Sequence, residues 1–341
     1  PGWTLLGSTV IRLPFVVTTS LGHEIAHSWW GNGVWVDFTQ GNWSEGLVTY
    51  IADHLYEEYN SSELARSYRL NHLMTYANLA NPSNRFAVKN FMYRSNRPAQ
   101  AIGYGKAMMI FHMLRHEVGD QVFWQTLGDI ATQHMFTRIG WNHFAEHFST
   151  AAERDLRPFF AQWIDRTDDL QLQLEKTRLE KTAQGWETKG ILKQHSDPYR
   201  LLVNIRLENR HEHKTQSIRS NNQQQEFVIT TPWRPERMTI DPDIDLFRLM
   251  TPAEIPSTIA SIRGSTKLLA VVADRLVPEP DTRRTLLAGL RQAQIPMITA
   301  EQASSRQLAD YDLVIFGINE RLMPTTAVDN KLSMLLAGDQ G

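Results

Sequence analysis

The sequence predicts a multidomain chain with a mainly helical region at 1–166, a small antiparallel β domain at 167–262 and an α/β unit at 263–341. Three observations support this prediction. Apolar residues recur at helical spacing through the first region, they alternate with polar residues in short runs through the second, and strand-like and helix-like patterns alternate in the third. A length of 341 residues also suits two or three domains.

Six segments of the first region have the apolar spacing of a helix. A polar loop at 81–100, which contains Asn81-Pro82 and Arg97-Pro98, separates the second of them from the third. The six segments are Leu47–Leu55, Leu64–Leu79, Ala107–Val118, Val122–Ala131, Trp141–Phe148 and Leu156–Ile164.

The second and third regions are predicted to contain the strands. In the second, turn-forming clusters at 194–198 and 220–223 separate runs such as LQLQLEKTRLE and QEFVITTP, which is typical of a β-sandwich-like domain. In the third, no glycine-rich phosphate loop follows the first strand, so the α/β pattern does not predict nucleotide binding. Its predicted strands and helix are Lys267–Ala273, Thr282–Gln294 (the helix), Ile295–Thr299 and Asp312–Gly317.

Composition excludes several classes of function. The chain has 35 Lys+Arg against 37 Asp+Glu, a formal net charge of −2, which gives no basic footprint for nucleic acid. No uninterrupted apolar run approaches the ~18 residues of a membrane-spanning helix. Zero cysteines exclude disulfides, thiolate metal ligands and a cysteine nucleophile. The absence of cysteine suits an exported or periplasmic bacterial protein but also occurs in cytosolic ones, so the localisation is left open. The sequence does not indicate an oligomeric state.

The segment LGHEIAHSWWGNGVWVDFTQGNWSEGLVTYIADH, residues 21–54, carries the chemistry. His23 and His27 are four residues apart, so on a helix they project from one face and can share a tetrahedral metal ion, usually zinc. Glu24 follows the first histidine about 100° round the helix. There it lies beside the metal and can accept a proton from a metal-bound water.

The third metal ligand must come from further along the chain. The metzincin pattern is excluded, because Trp30 and Gly33 stand where that pattern requires glycine and histidine. Asp37, in a predicted loop, and Glu45 both remain candidates. The residues favour Glu45, because Ser44 or Asn42 can cap a helix there, and a glutamate at the start of a second, antiparallel helix can reach the metal.

The motif HEIAHSWWGN followed by NWSEG resembles the gluzincin aminopeptidases, the zinc metallopeptidase family of alanyl aminopeptidase (aminopeptidase N) and leukotriene hydrolase. The connecting loop is one residue shorter here than in that family. The resemblance implies a thermolysin-like zinc peptidase domain in the first region. It also implies one zinc ion held by His23, His27 and Glu45, Glu24 as the general base, and peptides as substrates.

A second segment, IGYGKAMM, resembles the tyrosine segment of the same family, with Ala107 in place of its final glycine. The resemblance implies that Tyr104 is catalytic, because a phenol across the metal can donate a hydrogen bond to the developing oxyanion. It also implies removal of N-terminal residues. The G-x-M-E-N segment with which the family binds the substrate's free amine is, however, not found in the 22 residues before His23.

Three alternatives therefore stay open: a zinc endopeptidase, another gluzincin hydrolase, and a catalytically idle scaffold that binds a partner. The members of the family extend well upstream of the zinc motif. We therefore expect the chain to be a fragment that lacks the N-terminal region and holds an incomplete α/β unit.

Two other histidine pairs share the i, i+4 spacing. His143 and His147 in HFAEH match the inverzincin signature, but the surrounding apolar stripe predicts an ordinary amphipathic helix with these histidines at its surface. His112 and His116 lie on the helix that starts near Tyr104, and are more typical of partly buried polar residues than of metal ligands.

The residues that follow the zinc motif are predicted to be structural. Trp29 and Trp30 are expected to anchor the end of the helix to the core, as large aromatic residues at helix ends commonly do. Gly31-Asn32 is expected to end that helix.

Overall fold

The computed structural model describes residues 4, 7–8, 10–12, 16–18, 20–251, 254, 268–272, 296–299, 311 and 313–316. The chain divides into two compact units, Pro1–Thr251 and Pro252–Gly341. No helix among the described residues is long and apolar enough to cross a membrane. The three domain ranges stay predictions.

Helices dominate the part of the first unit that precedes residue 165. Each of the six predicted helical segments lies in a helix to within one residue. The α-helices are α1 (Ser20–Ala26), α2 (Ser44–Val48), α3 (Leu55–Asn60), α4 (Ser62–Leu79), α5 (Arg97–Gln100), α6 (Ala107–Val118), α7 (Asp120–Gln133), α8 (Trp141–Ala151) and α9 (Arg157–Ile164).

Two π-helices, π1 (Thr49–His54) and π2 (Ala101–Lys106), join α2 to α3 and α5 to α6. Short 3-10 turns occur at Val10–Arg12, Val16–Thr18, Phe38–Gln40 and Val88–Asn90. The predicted loop at 81–100 is therefore wrong at its end, where α5 begins. Pro98 lies in the first turn of α5, where a helix tolerates proline, and the Asn96 side chain accepts a hydrogen bond from Ala99 N.

Helix α6 forms the centre of the helical core. Its first eight residues, Ala107–Leu114, are all buried, as expected for a helix that is covered on every side. Gly46 on α2 lies directly against Ala107, and the Phe111 ring stacks with Trp141 at the start of α8. This packing holds α2 and the π2–α6 helix in a fixed relation to each other.

The second half of the first unit contains two three-stranded antiparallel sheets, as the alternating pattern predicts. Their strand orders are β4-β5-β8 and β7-β6-β9. Along β6 every second residue is buried, which gives this sheet one face toward the core. The strands are β4 (Leu172–Thr182), β5 (Gly185–Gln194), β6 (Leu201–Glu208), β7 (His213–Ser220), β8 (Gln224–Thr231) and β9 (Arg237–Ile240).

The segment that follows β9 packs against the helices. Arg69, on α4, donates from Nε to Ile244 O at 2.9 Å and from Nη2 to Asp243 O at 2.8 Å. Arg69 is 6% exposed, and its bond to the buried Ile244 satisfies a backbone carbonyl that burial would otherwise leave unpaired. The β sheets and the helical core are thus connected by buried hydrogen bonds.

Two small parallel sheets complete the described structure. In the first unit, β1 (Trp30–Gly31), β2 (Val34–Val36) and β3 (Arg138–Ile139) pair in that order beside the zinc motif. In the second unit, β10 (Leu268–Val272) lies between β11 (Met297–Thr299) and β12 (Leu313–Phe316). These three strands coincide with the predicted buried strands, and their parallel pairing suits an α/β unit. The predicted helix Thr282–Gln294 lies outside the described residues.

Candidate metal centre

Helix α1 presents the two histidines of the HEIAH motif on one face. The helix ends at Ala26, and one further turn follows, in which His27 N donates to His23 O at 3.1 Å. The two imidazole rings are 4.9 Å apart between centroids, with their planes at 75°. The i, i+4 spacing therefore brings both rings to one side of the helix, as predicted.

Glu45 lies in the first turn of α2. The helix begins at Ser44, and the Asn42 side chain holds that residue by accepting hydrogen bonds from Ser44 N at 3.0 Å and Ser44 Oγ at 2.7 Å. Trp43 is fully buried, and its Nε1 donates to Ile139 O at 2.8 Å, which holds the start of α2 against β3. The N-cap position is Trp43, which makes no side-chain cap bond, so neither Asn42 nor Ser44 occupies the predicted capping position.

His23, His27 and Glu45 converge on one point. Glu45 Oε2 lies 3.5 Å from His23 Nε2 and 3.3 Å from His27 Nε2. The three ligand atoms lie within 4.8 Å of one another. Bonds of about 2.0–2.1 Å to a tetrahedral zinc ion place ligand atoms roughly 3.3 Å apart, so the observed separations fit such an ion.

The remaining ring nitrogens are held by other partners. His23 Nδ1 lies 2.9 Å from Asp53 Oδ2, and His27 Nδ1 lies 2.9 Å from Trp30 O. Each of these acceptors calls for a proton on Nδ1, which leaves Nε2 of a neutral imidazole without one. The two Nε2 lone pairs then face the Glu45 carboxylate, an arrangement that a cation between them stabilises.

The pKa shifts of His23 and Glu45 also favour a positive charge between these side chains. Burial alone lowers the pKa of His23, but hydrogen bonds to Asp53 and Glu45 outweigh it and raise that pKa to about 9. Burial favours a raised pKa for Glu45, yet hydrogen bonds to both histidines lower it to about 2. The residues around this point therefore stabilise positive charge there, which a divalent metal ion supplies.

Asp53 is the residue that the sequence prediction missed. It lies in π1, eight residues after Glu45. On a regular α-helix, eight residues exceed two turns by about 80°, which would turn Asp53 away from Glu45. The wider turns of π1 reduce this excess, and Asp53 faces the site. The Glu45-x7-Asp53 spacing was visible in the sequence, but it predicts a shared face only when the π-helix is known.

Glu24 and Tyr104 line the same cavity, which has a volume of about 700 Å³. Tyr104 lies in π2, and its ring is 6.3 Å from that of His23 between centroids. Burial, followed by the nearby carboxylates of Glu45 and Glu24, raises the pKa of Tyr104. The phenol therefore keeps its proton and is available as a hydrogen-bond donor at neutral pH.

Asp37, the other candidate for the third ligand, has a different role. Its Oδ1 accepts from Thr39 N at 3.1 Å and from Thr39 Oγ1 at 2.7 Å, and its Oδ2 accepts from Gln40 Nε2 at 3.1 Å. These bonds cap the 3-10 turn Phe38–Gln40. Asp37 is not part of either group of metal-type ligands among the described residues.

The structure corrects two predictions for the residues after the motif. The helix ends at Ala26, and Gly31 lies in a short strand instead of ending the helix. Gly31 has a φ of +113°, and a Cβ there would lie 3.4 Å from both His27 Nδ1 and Ser44 Oγ, so glycine suits the position. Trp30 is buried and packs edge-on against Trp43, as expected for an anchor, but Trp29 is 51% exposed.

The inverzincin-like pair lies at a helix surface, as predicted. His143 Nδ1 accepts a hydrogen bond from Gly140 N at 3.1 Å at the start of α8. His147 Nε2 lies 2.8 Å from His134 Nε2, and Glu146 is exposed. Neither histidine belongs to a group of three metal-type ligands among the described residues.

Known proteins resemble this chain over the region that contains the candidate metal centre. Residues 15–163 match the peptidase family M1 domain. The chain is 21% identical over 194 residues to the alanine/arginine aminopeptidase of Saccharomyces cerevisiae, covering 53% of this chain and 22% of that protein. It is 28% identical over 153 residues to aminopeptidase 2 of Candida albicans, covering 43% of this chain and 16% of that protein. The chain thus spans less than a quarter of the length of these relatives.

The fold is also similar to a solved structure, that of Legionella pneumophila aminopeptidase A in complex with aspartic acid. The TM-score is 0.52 at 18% sequence identity, and the match covers 71% of this chain and 27% of that one. At this identity the likeness establishes a shared fold. The family resemblance predicted from HEIAH and NWSEG is confirmed, because residues 15–163 match the peptidase family M1 domain and both yeast relatives are aminopeptidases.

Proposed function

We propose that the chain hydrolyses peptides in a zinc-dependent reaction, as an aminopeptidase that removes N-terminal residues. The observation that carries the proposal is the convergence of His23, His27 and Glu45 on one point at the wall of a cavity. Glu24 and Tyr104 line the same cavity. The aminopeptidase names of the two yeast relatives support N-terminal residues as the site of cleavage.

His23, His27 and Glu45 would hold the zinc ion. Asp53 orients His23 through the hydrogen bond to His23 Nδ1. When bound, zinc supplies a Lewis acid that polarises the substrate carbonyl and makes a water molecule more acidic. Glu24 accepts the proton of the attacking water and passes it to the leaving amine. Tyr104 keeps its phenolic proton and donates a hydrogen bond to the oxyanion that forms as the water adds.

The substitution Glu24→Gln tests the proposed base. Removing a general base costs about 100- to 10,000-fold in kcat, and we expect a loss in this range with the zinc content of the parent chain retained. Zinc content is measured by elemental analysis and turnover with an aminoacyl-coumarin. Glu63→Gln, at an exposed position on α4, is the matched control and is expected to keep full turnover. Unreduced turnover in Glu24→Gln would rule out Glu24 as the base.

The type of cleavage is tested by comparing two substrates, with and without a chelator. Chelator-sensitive hydrolysis of an aminoacyl-coumarin alone supports the aminopeptidase. Hydrolysis of an internally quenched peptide that lacks a free N-terminus supports an endopeptidase instead. Hydrolysis of neither contradicts the proposal and favours a binding scaffold.

A further inference from the structure

A second cluster of metal-type ligands lies where α6 meets the segment after β9. His112 and His116 are one turn apart on α6, and Asp245 reaches them from that segment. Asp245 Oδ1 lies 3.1 Å from His112 Nε2 and 3.7 Å from His116 Nε2. The three ligand atoms lie within 4.8 Å of one another, which among the described residues is true of only one other such group, the centre at His23.

We propose that His112, His116 and Asp245 form a second metal site, which binds a divalent transition-metal ion such as zinc. The observed separations of 3.1 and 3.7 Å bracket the roughly 3.3 Å between ligand atoms around a tetrahedral zinc ion. Two imidazoles and one carboxylate are also the donor set of the proposed peptidase centre. The second site is independent of the proposed function, because it shares no residue with that centre.

The surroundings of His112 suit a metal ligand. Its Nδ1 lies 3.2 Å from the hydroxyl oxygen of Tyr50, which accepts a hydrogen bond from Arg115 Nη1 at 3.3 Å and can accept a second one from a protonated Nδ1. With the proton on Nδ1, the lone pair of Nε2 is directed at Asp245. An outer partner that fixes the tautomer in this way is typical of metal-bound histidines. His112 is only 3% exposed, and burial favours the neutral imidazole, which is the form that binds metals.

His116 gives the site access to solvent, and the surroundings of Asp245 affect its affinity for a metal ion. The His116 side chain is 53% exposed, so an ion can enter without opening the core. Arg69 Nη2 lies 3.5 Å from Asp245 Oδ1, and its positive charge opposes that of a bound cation. We therefore expect lower zinc affinity at this site than at the centre formed by His23, His27 and Glu45.

A metal ion here would link the central helix to the β domain. The segment with Asp245 is already held by hydrogen bonds from Arg69, and His112 lies on the helix that continues from π2. A bond from each element to one ion adds a cross-link that exists only in the folded chain. Zinc binding at this site would therefore stabilise the junction between helices and sheets, by an amount that rises with the logarithm of the free metal concentration once that concentration exceeds the Kd.

Zinc bound per chain, measured by equilibrium dialysis against zinc chloride and elemental analysis, tests the second site. We expect two zinc ions for the unaltered chain, one for His116→Gln and one for Glu45→Gln. The double variant is expected to bind none. His116 is exposed, so His116→Gln leaves the core intact. His213→Gln, at an exposed histidine on β7, is the matched control and is expected to bind two.

The outcomes separate this proposal from the proposed function. If the centre at His23 takes no zinc, the unaltered chain binds one ion and His116→Gln binds none, so the second site stands while the zinc peptidase fails. If His116→Gln binds as much zinc as the unaltered chain at every zinc concentration, the second site does not exist. Equal loss in His116→Gln and His213→Gln would also overturn it, since it would indicate adventitious binding to surface histidines.

Discussion

The substitution Gly46→Ala tests how the structure positions Glu45. A Cβ at Gly46 would lie 2.3 Å from the Cβ of Ala107, 2.8 Å from its backbone carbon and 3.0 Å from the nitrogen of Met108. Carbon atoms in contact are normally about 3.5–4.0 Å apart, so α2 and α6 would have to separate by about 1 Å or more. Neither side can yield easily, because Ala107 and Met108 are fully buried and two of the three contacts are with backbone.

The expected loss of stability follows from two opposing effects. Overpacking of this kind costs about 1–3 kcal/mol, and alanine in place of glycine in a helix recovers roughly 0.5–1 kcal/mol. We therefore expect Gly46→Ala to lower the free energy of unfolding by about 1 kcal/mol, within a span of roughly 0–2.5 kcal/mol. Because Glu45 precedes Gly46, the shift also displaces a ligand whose distance to the metal tolerates only about 0.2 Å, so zinc affinity falls as well.

Gly128→Ala provides the matched control. Gly128 lies on α7, is exposed, and has no atom within 4 Å of an added Cβ. The same change is therefore expected to raise stability by about 0.5–1 kcal/mol. Urea unfolding, followed by the far-ultraviolet circular dichroism of the helices in the presence of a chelator, measures both variants. If Gly46→Ala proves as stable as the parent and binds zinc equally well, the close approach of α2 to α6 does not hold Glu45 in place.

Three further predictions concern Asp53, Tyr104 and Lys106. Asp53→Asn is expected to weaken zinc binding about 10- to 100-fold in a chelator competition, because His23 loses its charged partner. Tyr104→Phe is expected to lower kcat about 100- to 1,000-fold with the zinc content unchanged, because one oxyanion donor is lost. Burial lowers the pKa of Lys106 from 10.5 to about 8, so above pH 8 the unfolded chain holds more protons than the folded chain, and stability rises with pH. From pH 6 to pH 9 the parent is therefore expected to gain about 1.4 kcal/mol relative to Lys106→Met, measured by urea unfolding.

Each of these predictions has an outcome that contradicts it. Unchanged zinc affinity in Asp53→Asn would mean that the 2.9 Å contact does not support His23. A normal kcat in Tyr104→Phe would remove the phenol from the reaction, and a loss of zinc would give it a role in metal binding instead. A constant stability difference between the parent and Lys106→Met across this pH range would show that Lys106 does not titrate near pH 8.

The fold could be predicted where the pattern of apolar residues is local. The six helical segments and the alternating runs of the β domain follow from the periods of 3.6 and 2 residues, and each is present in the structure. The two π-helices could not be predicted, because they change the phase of a helix without changing its apolar composition. The short helix α5 was missed because Arg97-Pro98 is as typical of a loop as of a first helical turn.

The same distinction between local pattern and tertiary packing applies to the metal-type ligands and their partners. His23, Glu24 and His27 could be assigned from spacing alone, since one turn of helix fixes their relative positions. Contacts between residues that are distant in the sequence could not be predicted in this way. Asp53 is 30 residues from His23, and Asp245 is 133 residues from His112. No repeating pattern links such pairs. Packing decides which carboxylates stand beside which histidines, because only the folded core brings α2, π1 and the segment after β9 against the helices that carry the imidazoles.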